Sequence, residues 1–357
     1  MYREQIAAGS HSEVAAGPIS DKVLIVIPCL NEREHIAPLL AHLQNDTAEI
    51  DRLIVVTDGG STDGTQAIVA EIADRSPGVK IVCNPKRIQS AGVNLAVRAF
   101  GEGRQWLVRL DAHAHYPAGY IRTLIAEAQR VGAASVVVAM RSQGREGFQA
   151  AVAAVQNSFL GAGGAPHRRT GKAQFVDHGH HALFDLRRFL AIGGYDESAS
   201  HNEDAEFDIR LARAGGTIWL TRAVEVTYFP RASVKALYRQ YTCYGRGRAA
   251  TLLRHRKIPK LRQLLPACVA PAAAAATCSP WLATAGVPVL LWAAGCMVLG
   301  ARLGLKRGLR GAILAGIAAM TIHMAWSIGF WREMLSRIRR GNDQAFNAVA
   351  TASDVPS

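Results

Sequence analysis

The sequence lacks the signatures of several common protein classes. Its six cysteines, spread over 357 residues, form no CxxC pair, which argues against a zinc ribbon and against a disulfide-stapled domain. No GxGxxG follows the first predicted strand and no GxxxxGKS/T occurs anywhere, which disfavours dinucleotide dehydrogenases and P-loop nucleotidases. Charged residues make up 19% of the chain and hydrophobic residues 49%, a balance that excludes an acidic disordered protein.

Ionisable side chains are missing from two long stretches of the C-terminal half. Gln263–Ala301 contains no Asp, Glu, Lys, Arg or His, and Gly311–Trp331 contains only His323. Because a membrane-spanning helix needs about 20 apolar residues, the first stretch predicts two hydrophobic segments with a turn between Pro280 and Pro288. The second stretch predicts a third. Buried helices of a soluble protein are the alternative, but such helices rarely lack a charged face for so long.

Basic residues flank these apolar stretches. Residues 231–262 hold ten Lys/Arg and no acid, and residues 302–340 hold eight Lys/Arg and one acid, so the rest of the chain is weakly acidic. Basic segments beside hydrophobic spans favour the cytoplasmic face and anionic lipid. We therefore expect an inner-membrane protein with its front domain on the cytoplasmic side and with no nucleic-acid partner. The number of crossings and the side of the tail stay open.

Strands and helices alternate through the front part of the chain, which predicts a parallel α/β sheet. This domain is expected over residues 22–230, after a flexible arm at 1–21 without a signal peptide. Three further segments are expected after it. They are a basic interfacial helical segment at 231–262, membrane-associated helices at 263–331, and a tail at 332–357 that is first basic and then polar. The strands are predicted at Val23–Ile27, Leu53–Val56, Val79–Val82, Trp106–Leu110 and Ser135–Met140, and the helices at His35–Leu43, Thr65–Asp74, Ser90–Phe100 and Ala118–Val131.

Acidic residues follow three of these strands. Glu32 comes after the first strand, Asp58 after the second and Asp111 after the fourth. Ligands of parallel α/β sheets bind beyond the carboxyl ends of the strands. The spacing of Asp111 and His113 suits Mn²⁺ or Mg²⁺ shared with a diphosphate, whose departure the metal would assist.

Further along the chain, three segments are candidates for the acceptor side of a site. Asn202–Asp208 opens a predicted helix with several acids, which either complement the helix dipole or supply a general base. Asp177–His181 is more consistent with a strand lining an acceptor pocket than with a zinc site. Tyr238–Arg248 is either an interfacial helix or a diphosphate clamp.

Four motifs in this order resemble those of the family 2 inverting glycosyltransferases, over about residues 22–250. They are Ile27–Glu32, Asp58–Thr65, Asp111–His113 and Asn202–Asp204. The sequences of the segments Arg109–His115 and Asp177–His181 are similar to those of the ExoA group of succinoglycan-biosynthesis glucosyltransferases. The resemblance implies a GT-A fold, that is, a Rossmann-like α/β domain with a mostly parallel sheet, followed by a C-terminal helical membrane region.

The resemblance also implies residue roles. Asp204 would be the catalytic base, and Asp111 with His113 would hold the metal, although the family usually has Asp where this chain has His113. The family also often has two adjacent acids where this chain has Asp58-Gly59. Nucleotide-sugar contacts would come from Pro28, Asn31, Glu32, Asp58, Lys86, Arg87 and Asp111. From the residue types of the three acceptor-side segments, and not from the resemblance, we expect acceptor or diphosphate contacts from Glu203, His180, Gln240 and Arg246.

These observations predict a membrane-anchored inverting glycosyltransferase of exopolysaccharide biosynthesis. It would move a sugar, glucose by resemblance, from a UDP-sugar to a hydroxyl of a polyprenyl-diphosphate-linked saccharide, with other polysaccharide-assembly proteins as candidate partners. Two alternatives stay open: a polyprenyl-phosphate glycosyl synthase, and a non-catalytic nucleotide-sugar-binding assembly protein. A processive synthase is disfavoured, because Gln240–Arg248 matches the QxxRW motif of such enzymes only loosely.

Overall fold

A computed structural model describes residues 22–165, 171–199, 201–278 and 283–353. The arm predicted at residues 1–21 lies outside this described part. The five predicted strands and the four predicted helices of the front domain are all present, with ends that differ by a few residues. Hydrophobic periodicity thus located these elements correctly.

The described residues contain eight strands and thirteen α-helices. The strands are β1 Val23–Cys29, β2 Arg52–Asp58, β3 Val79–Cys83, β4 Trp106–Arg109, β5 Ser135–Ser142, β6 Gln174–Val176, β7 His180–Asp185 and β8 Ile218–Tyr228. The helices of the front domain are α1 Arg33–Asp46, α2 Thr65–Arg75, α3 Gln89–Phe100, α4 Tyr120–Val131, α5 Gly147–Gln156, α6 Phe159–Ala162, α7 Leu186–Ala191 and α8 Glu203–Arg213. The remaining helices are α9 Val234–His255, α10 Leu261–Ala267, α11 Val269–Cys278, α12 Ala283–Gly304 and α13 Gly308–Ser353.

The strands form one sheet in the order β3-β2-β1-β4-β7-β5-β8-β6. Strands β1 to β4 are mutually parallel, and β5 is parallel to β8. Strands β6 and β7 run antiparallel to their neighbours. The mostly parallel α/β sheet predicted from the sequence is therefore confirmed, and its parallel half brings the ends of β1, β2 and β4 side by side.

Helices cover both faces of this sheet. On one face Ile36 of α1 and Ile121 of α4 pack in a common cluster with Ile25 of β1 and Val108 of β4, all fully buried. On the other face Val97 of α3 belongs to a cluster with Phe184, Phe189 and Phe207, whose rings surround Tyr195. Strands β1, β4 and β5 are almost wholly buried on both faces, as continuous runs of Val, Ile and Leu require.

The C-terminal helices include one stretch that is long and apolar enough to cross a membrane. Gly286–Ile338 contains an 18-residue window with a mean hydropathy of 1.6, of which only 11% is buried in protein. Helix α12 has 22 residues, which at a rise of 1.5 Å per residue is long enough for a hydrocarbon core of ~30 Å. Helix α11 has only 10 residues and would cross about half of such a core. Pro288 lies inside α12, so the predicted turn does not extend to it. A proline near a helix start removes only one backbone hydrogen bond, which a helix tolerates.

Glycines set the contact between α9 and α13. A Cβ atom on Gly245 would collide with the backbone of Trp326, and one on Gly329 with the backbone of Thr242. The two helices therefore cross with their backbones in direct contact, as small residues allow in membrane helix pairs. This crossing fixes the basic helix α9 against the long apolar helix.

Replacing the glycine at this crossing tests the packing. We expect Gly245→Ala to lower the free energy of unfolding by about 1–3 kcal/mol, since the added methyl must push two backbones apart. Gly295→Ala is the matched control, because no atom lies within 4 Å of a Cβ at Gly295. The measurement is thermal unfolding in detergent, and equal stability of the two variants would contradict the close crossing.

Candidate active site

The loops after β1 and β2 are tied together at the carboxyl edge of the sheet. The backbone N–H of Asn31 donates to Ser61 Oγ at 2.8 Å, and the Asn31 side-chain oxygen accepts from the N–H of Thr62 at 2.9 Å. Asn31 adopts a left-handed backbone, with φ of 58°. Asp58, only 2% exposed, accepts hydrogen bonds from Gly60, Ser61 and Gln66, so its carboxylate organises its own loop.

Asp111 lies just beyond β4, beside these loops. Its Oδ1 accepts from Gln89 Nε2 at 3.0 Å, and its backbone N–H donates to the hydroxyl of Tyr116 at 2.7 Å. The Oδ2 atom lies 3.6 Å from Nε2 of His180. The residue is therefore held through both its backbone and its carboxylate, as a preorganised ligand should be.

A buried arginine joins Asp111 to the start of helix α8. Arg109, at the end of β4 and 5% exposed, donates from Nη1 to Asp204 Oδ1 at 2.6 Å and lies 3.4 Å from Glu203 Oε1. Its Nη2 lies 3.5 Å from Asp111 Oδ1. The Tyr195 hydroxyl also donates to Asp204 Oδ1, at 2.9 Å. Three carboxylates thus converge on one guanidinium, which we call the Arg109 cluster.

The backbone before α8 aims this helix at the cluster. Asn202 has a left-handed φ of 66°, and its side chain donates to Thr251 Oγ1 of α9 at 2.8 Å. Tyr195 is fixed by two hydrogen bonds between its backbone and the side-chain amide of Asn94. Glu203 and Asp204 therefore enter the site on the first turn of a helix that two other elements hold in place.

The pKa values within the cluster diverge. Burial raises the pKa of Asp111, but the nearby Arg109 and His180 hold it below its ordinary value. Burial, together with the adjacent Asp204 charge, raises the pKa of Glu203 to about 7. Burial lowers the pKa of Arg109, yet the carboxylates around it, led by Asp204, keep its pKa well above the usual value. Near neutral pH Asp111 is therefore ionised, whereas Glu203 is about half-protonated.

His113 faces the same region from the loop after β4. Its Nδ1 lies 2.8 Å from Glu32 Oε1, and this hydrogen bond raises the pKa of His113. A carboxylate on Nδ1 leaves Nε2 available, which is the common arrangement of metal-bound histidines. Within the described ranges no group of three or more His, Cys, Asp or Glu side chains is arranged to hold a metal ion. The protein therefore fits a divalent ion that takes its other ligands from a diphosphate, and does not fit a closed protein cage.

A cavity of about 1250 Å³ opens at the cluster and brings together part of the predicted site. The sequence-predicted residues that line it are Asp111, His113, His180, Glu203, Asp204 and Gln240. The predicted residues that do not line it are Pro28, Asn31, Glu32, Asp58, Lys86, Arg87 and Arg246. The first six of these lie on or beside the ends of β1, β2 and β3. The predicted nucleotide contacts and the cavity therefore lie on opposite sides of Asp111.

Two of the predicted basic contacts are engaged elsewhere. Lys86 is exposed in the loop before α3 and pairs with Glu197 at 2.6 Å. Arg87 donates from Nε to the carbonyl of Gly59 at 2.9 Å and so closes the Asp58 loop.

On α9, Arg246 lies outside the cavity, 3.7 Å from Glu333, and Arg248 lines the cavity instead. Adjacent helical residues differ by about 100° around the axis. Arg246 and Arg248, two positions apart, therefore point to nearly opposite sides of α9, so only one of them can face the cavity.

Sequence reasoning did not assign Arg109 or Tyr195, and it placed Arg248 only within the Tyr238–Arg248 segment as one alternative, a diphosphate clamp. Arg109 stands at the end of a predicted buried strand, where a charged residue is rarely buried without partners. That placement was the signal that could have found it. The partners themselves are about 90 residues away in sequence, and only the folded sheet brings them together.

The sheet topology and the acids at its carboxyl edge are those of the GT-A fold. The fold is shared with the mannosyltransferase PcManGT of Pyrobaculum calidifontis, solved with GDP-Man and Mn²⁺, at a TM-score of 0.57 and 17% identity. The superposition covers 88% of this chain and 91% of that one.

The chain belongs to glycosyltransferase family 2. The family described as "Glycosyl transferase family 2" matches residues 24–187, and "Glycosyl transferase family group 2" matches residues 106–305. The chain is 49% identical over 323 residues to succinoglycan biosynthesis protein ExoA of Rhizobium meliloti, across 90% of this chain and 97% of that protein.

A second relative comes from Methanococcus voltae and is named dolichyl N-acetyl-alpha-D-glucosaminyl phosphate 3-beta-D-2,3-diacetamido-2,3-dideoxy-beta-D-glucuronosyltransferase. It is 25% identical over 236 residues, which cover 62% of this chain and 71% of that protein.

The pH dependence of stability tests the burial of Glu203. The folded protein keeps a proton on Glu203 up to about pH 7, whereas the ordinary value is 4.5, so stability falls as pH rises through that window. We expect Glu203→Gln to match the unsubstituted protein near pH 4.5 and to exceed it above pH 7, by roughly 1–3 kcal/mol. Thermal unfolding across this range is the measurement, with the exposed Glu102→Gln as control. Parallel curves for all three proteins would contradict the raised pKa.

Removing the guanidinium tests the Arg109 cluster. Arg109→Met leaves the buried Glu203 and the half-buried Asp111 and Asp204 without their counter-ion, a change that costs about 3–5 kcal/mol in such sites. The loss should shrink as pH falls, because the carboxylates can then take up protons. Arg122→Met is the control, since Arg122 is exposed and pairs with Glu49 at 3.1 Å, a contact worth about 1 kcal/mol or less. Equal losses in the two variants, measured by chemical denaturation in detergent, would refute the cluster's role.

Proposed function

We propose that this protein is a membrane-anchored inverting glycosyltransferase of exopolysaccharide biosynthesis, which transfers a sugar from a UDP-sugar to a hydroxyl of a polyprenyl-diphosphate-linked saccharide. One observation carries the proposal: Asp111 and Asp204 meet across Arg109 in a cavity that is also lined by the apolar C-terminal helices. The 49% identity to a succinoglycan biosynthesis protein supports this pathway as the setting. Glucose is proposed as the sugar from the resemblance of the motifs alone.

In the proposed reaction Asp204 is the general base. Its carboxylate takes the proton of the acceptor hydroxyl, whose oxygen forms a bond to the anomeric carbon of the donor. The bond from that carbon to the diphosphate oxygen breaks on the opposite face, and the leaving UDP keeps the electron pair. A base of this kind contributes roughly 10²–10⁴-fold. The Arg109 and Tyr195 hydrogen bonds keep Asp204 oriented between turnovers.

Mn²⁺ or Mg²⁺ is the proposed cofactor, with Asp111 and His113 as its protein ligands. When bound, the ion would supply Lewis-acid stabilisation of the negative charge on the departing diphosphate. The Glu32 contact on Nδ1 of His113 supports this assignment, because it orients the ring for ligation through Nε2. A Mn²⁺-bound enzyme of the same fold supports the choice of a divalent cation.

The acceptor side of the site combines sugar-binding groups with a membrane-facing region. Gln240 donates to the hydroxyls of Tyr228 at 2.8 Å and Tyr244 at 3.0 Å, and all three residues line the cavity with His180. Hydroxyl and amide groups of this kind suit a saccharide. The Methanococcus voltae relative, named for a dolichyl-linked sugar acceptor, supports a lipid-linked saccharide. We propose that Gly286–Ile338 anchors the enzyme in the inner membrane, with the sheet domain on the cytoplasmic side.

Substitution of the proposed base tests this function. Asp204→Asn should bind UDP with unchanged affinity and lose transfer from radiolabelled UDP-glucose to lipid-linked extract by about 10²–10⁴-fold, because the amide cannot take a proton. Asp196→Asn is the matched control, since Asp196 lies in the preceding turn, outside the catalytic cavity, and pairs with Arg254. Full turnover by Asp204→Asn would overturn the assignment.

The choice of acceptor separates the alternatives. Transfer to bare polyprenyl phosphate, without an attached sugar, would instead identify a polyprenyl-phosphate glycosyl synthase. UDP binding without any turnover in the presence of Mn²⁺ or Mg²⁺ would identify a non-catalytic assembly protein.

A further inference from the structure

The catalytic cavity is also lined by the C-terminal helices. Apolar side chains of α12 and α13, among them Val289, Trp292 and Ile322, line the same space as Asp111 and Asp204. The cavity of about 1250 Å³ is therefore lined by carboxylates in one part and by apolar side chains in another. A cavity with such walls suits a ligand that is polar at one end and apolar at the other.

Two arginines line this cavity from the helices that join the sheet domain to α12 and α13. Arg248 is on α9 and Arg262 is on α10. In the part of the chain that the structure describes, neither guanidinium has a hydrogen bond or an acid within 4 Å. The pKa of Arg248 is lowered to about 10, mainly because the side chain is buried and also because Arg262 repels its charge. The two positive charges thus lie near each other in a partly desolvated space.

The nearest acids have closer partners than these arginines. Asp208 lies 2.6 Å from Nδ1 of His178, and Asp177 is ion-paired with Lys260. Both carboxylates favour the charged form of Arg248, but neither contacts it. The arginine pair therefore retains positive charge that an anionic ligand could neutralise.

We propose that Arg248 and Arg262 bind the diphosphate of an isoprenoid-linked acceptor, and so select acceptors that carry this group. The inference rests on the proposed function, which supplies the lipid-linked acceptor. Guanidinium forks match phosphate oxygens in geometry and charge. With the diphosphate held there, the attached sugar would extend towards Asp204, and the isoprenoid chain would extend along α12 and α13.

The donor diphosphate is the competing occupant of these arginines. The predicted nucleotide contacts Asn31, Asp58 and Arg87 do not line this cavity, and the donor would approach Asp111 from their side. An acceptor diphosphate is favoured because Arg248 and Arg262 share the cavity with the apolar residues, which UDP does not need.

Binding by the full-length protein in detergent tests the subsite directly. The probes are farnesyl diphosphate, farnesol and inorganic diphosphate, each titrated by calorimetry in the presence of saturating UDP. We expect farnesyl diphosphate to bind at least 10-fold more tightly than either of the others. Arg248→Gln and Arg262→Gln should each weaken its binding about 10–100-fold, without changing the affinity for UDP.

Arg239→Gln is the matched control, because Arg239 is an exposed arginine of α9 that does not line the cavity. Its affinity for farnesyl diphosphate should equal that of the unsubstituted protein. Three outcomes would overturn the proposal: displacement of farnesyl diphosphate by UDP, equal binding of inorganic diphosphate, or equal weakening by all three substitutions.

Turnover separates failure of the subsite from failure of the proposed function. With a diphosphate-linked sugar acceptor, Arg248→Gln and Arg262→Gln should raise the acceptor KM about 10–100-fold, but should leave the KM of an uncharged alkyl glycoside acceptor unchanged. If sugar is transferred and neither KM responds, the subsite is wrong and the function stands. If farnesyl diphosphate binds as expected but no sugar is transferred to any acceptor, the function is wrong and the subsite stands.

Discussion

The buried guanidinium of Arg109 is the interaction on which the site depends. Asp111, Glu203 and Asp204 come from two elements and would repel one another at these distances without a cation between them. Arg109 offsets that repulsion and fixes the start of α8 against the end of β4. The same group holds the pKa of Asp111 below its ordinary value, and it opposes the rise that burial and Asp204 impose on the pKa of Glu203. Arg109 therefore acts on both the geometry and the protonation of the site.

The second constraint is the contact between the sheet domain and the C-terminal helices. Helices α9 and α13 meet backbone to backbone at Gly245 and Gly329, and His323 lies 2.7 Å from the carbonyl of Leu160 in α6. These contacts make one cavity out of surfaces that belong to two parts of the chain. In the proposed function this gives a lipid-linked acceptor access to the base from the membrane side, while the nucleotide approaches from the opposite side.

The local elements could be predicted because their cause is local. Runs such as Val23–Ile27 have the continuous hydrophobicity of strands buried on both faces, and the acids that follow them lie at one edge in any parallel sheet. Asp204, on the first turn of α8, shares Arg109 with Asp111, in line with the expectation that this helix start faces the same cleft. A strand was expected at Asp177–His181, where β7 begins, but its antiparallel insertion between β4 and β5 could not be predicted. Strand order depends on long-range pairing that no short sequence window records.

Side-chain direction was the other limit of prediction. The segment Tyr238–Arg248 was expected to offer Arg246 to a diphosphate, but rotation about the α9 axis turns Arg246 towards Glu333 and Arg248 into the cavity. The docking of α9 on α13 fixes that rotation, and residues more than 80 positions apart make the contact. Arg109 is a similar case, since its role exists only when α8 lies beside β4.

The sequence by itself determined the class of fold, the order of the first five strands with the helices between them, and the acids at the sheet edge. These follow from the periodicity of apolar residues and from the geometry of parallel strands. Only the tertiary structure decided which charges are paired, which are buried with opposite partners and which face an open cavity. The reason is that electrostatic energies depend on distances of a few ångströms between residues that are far apart in the chain.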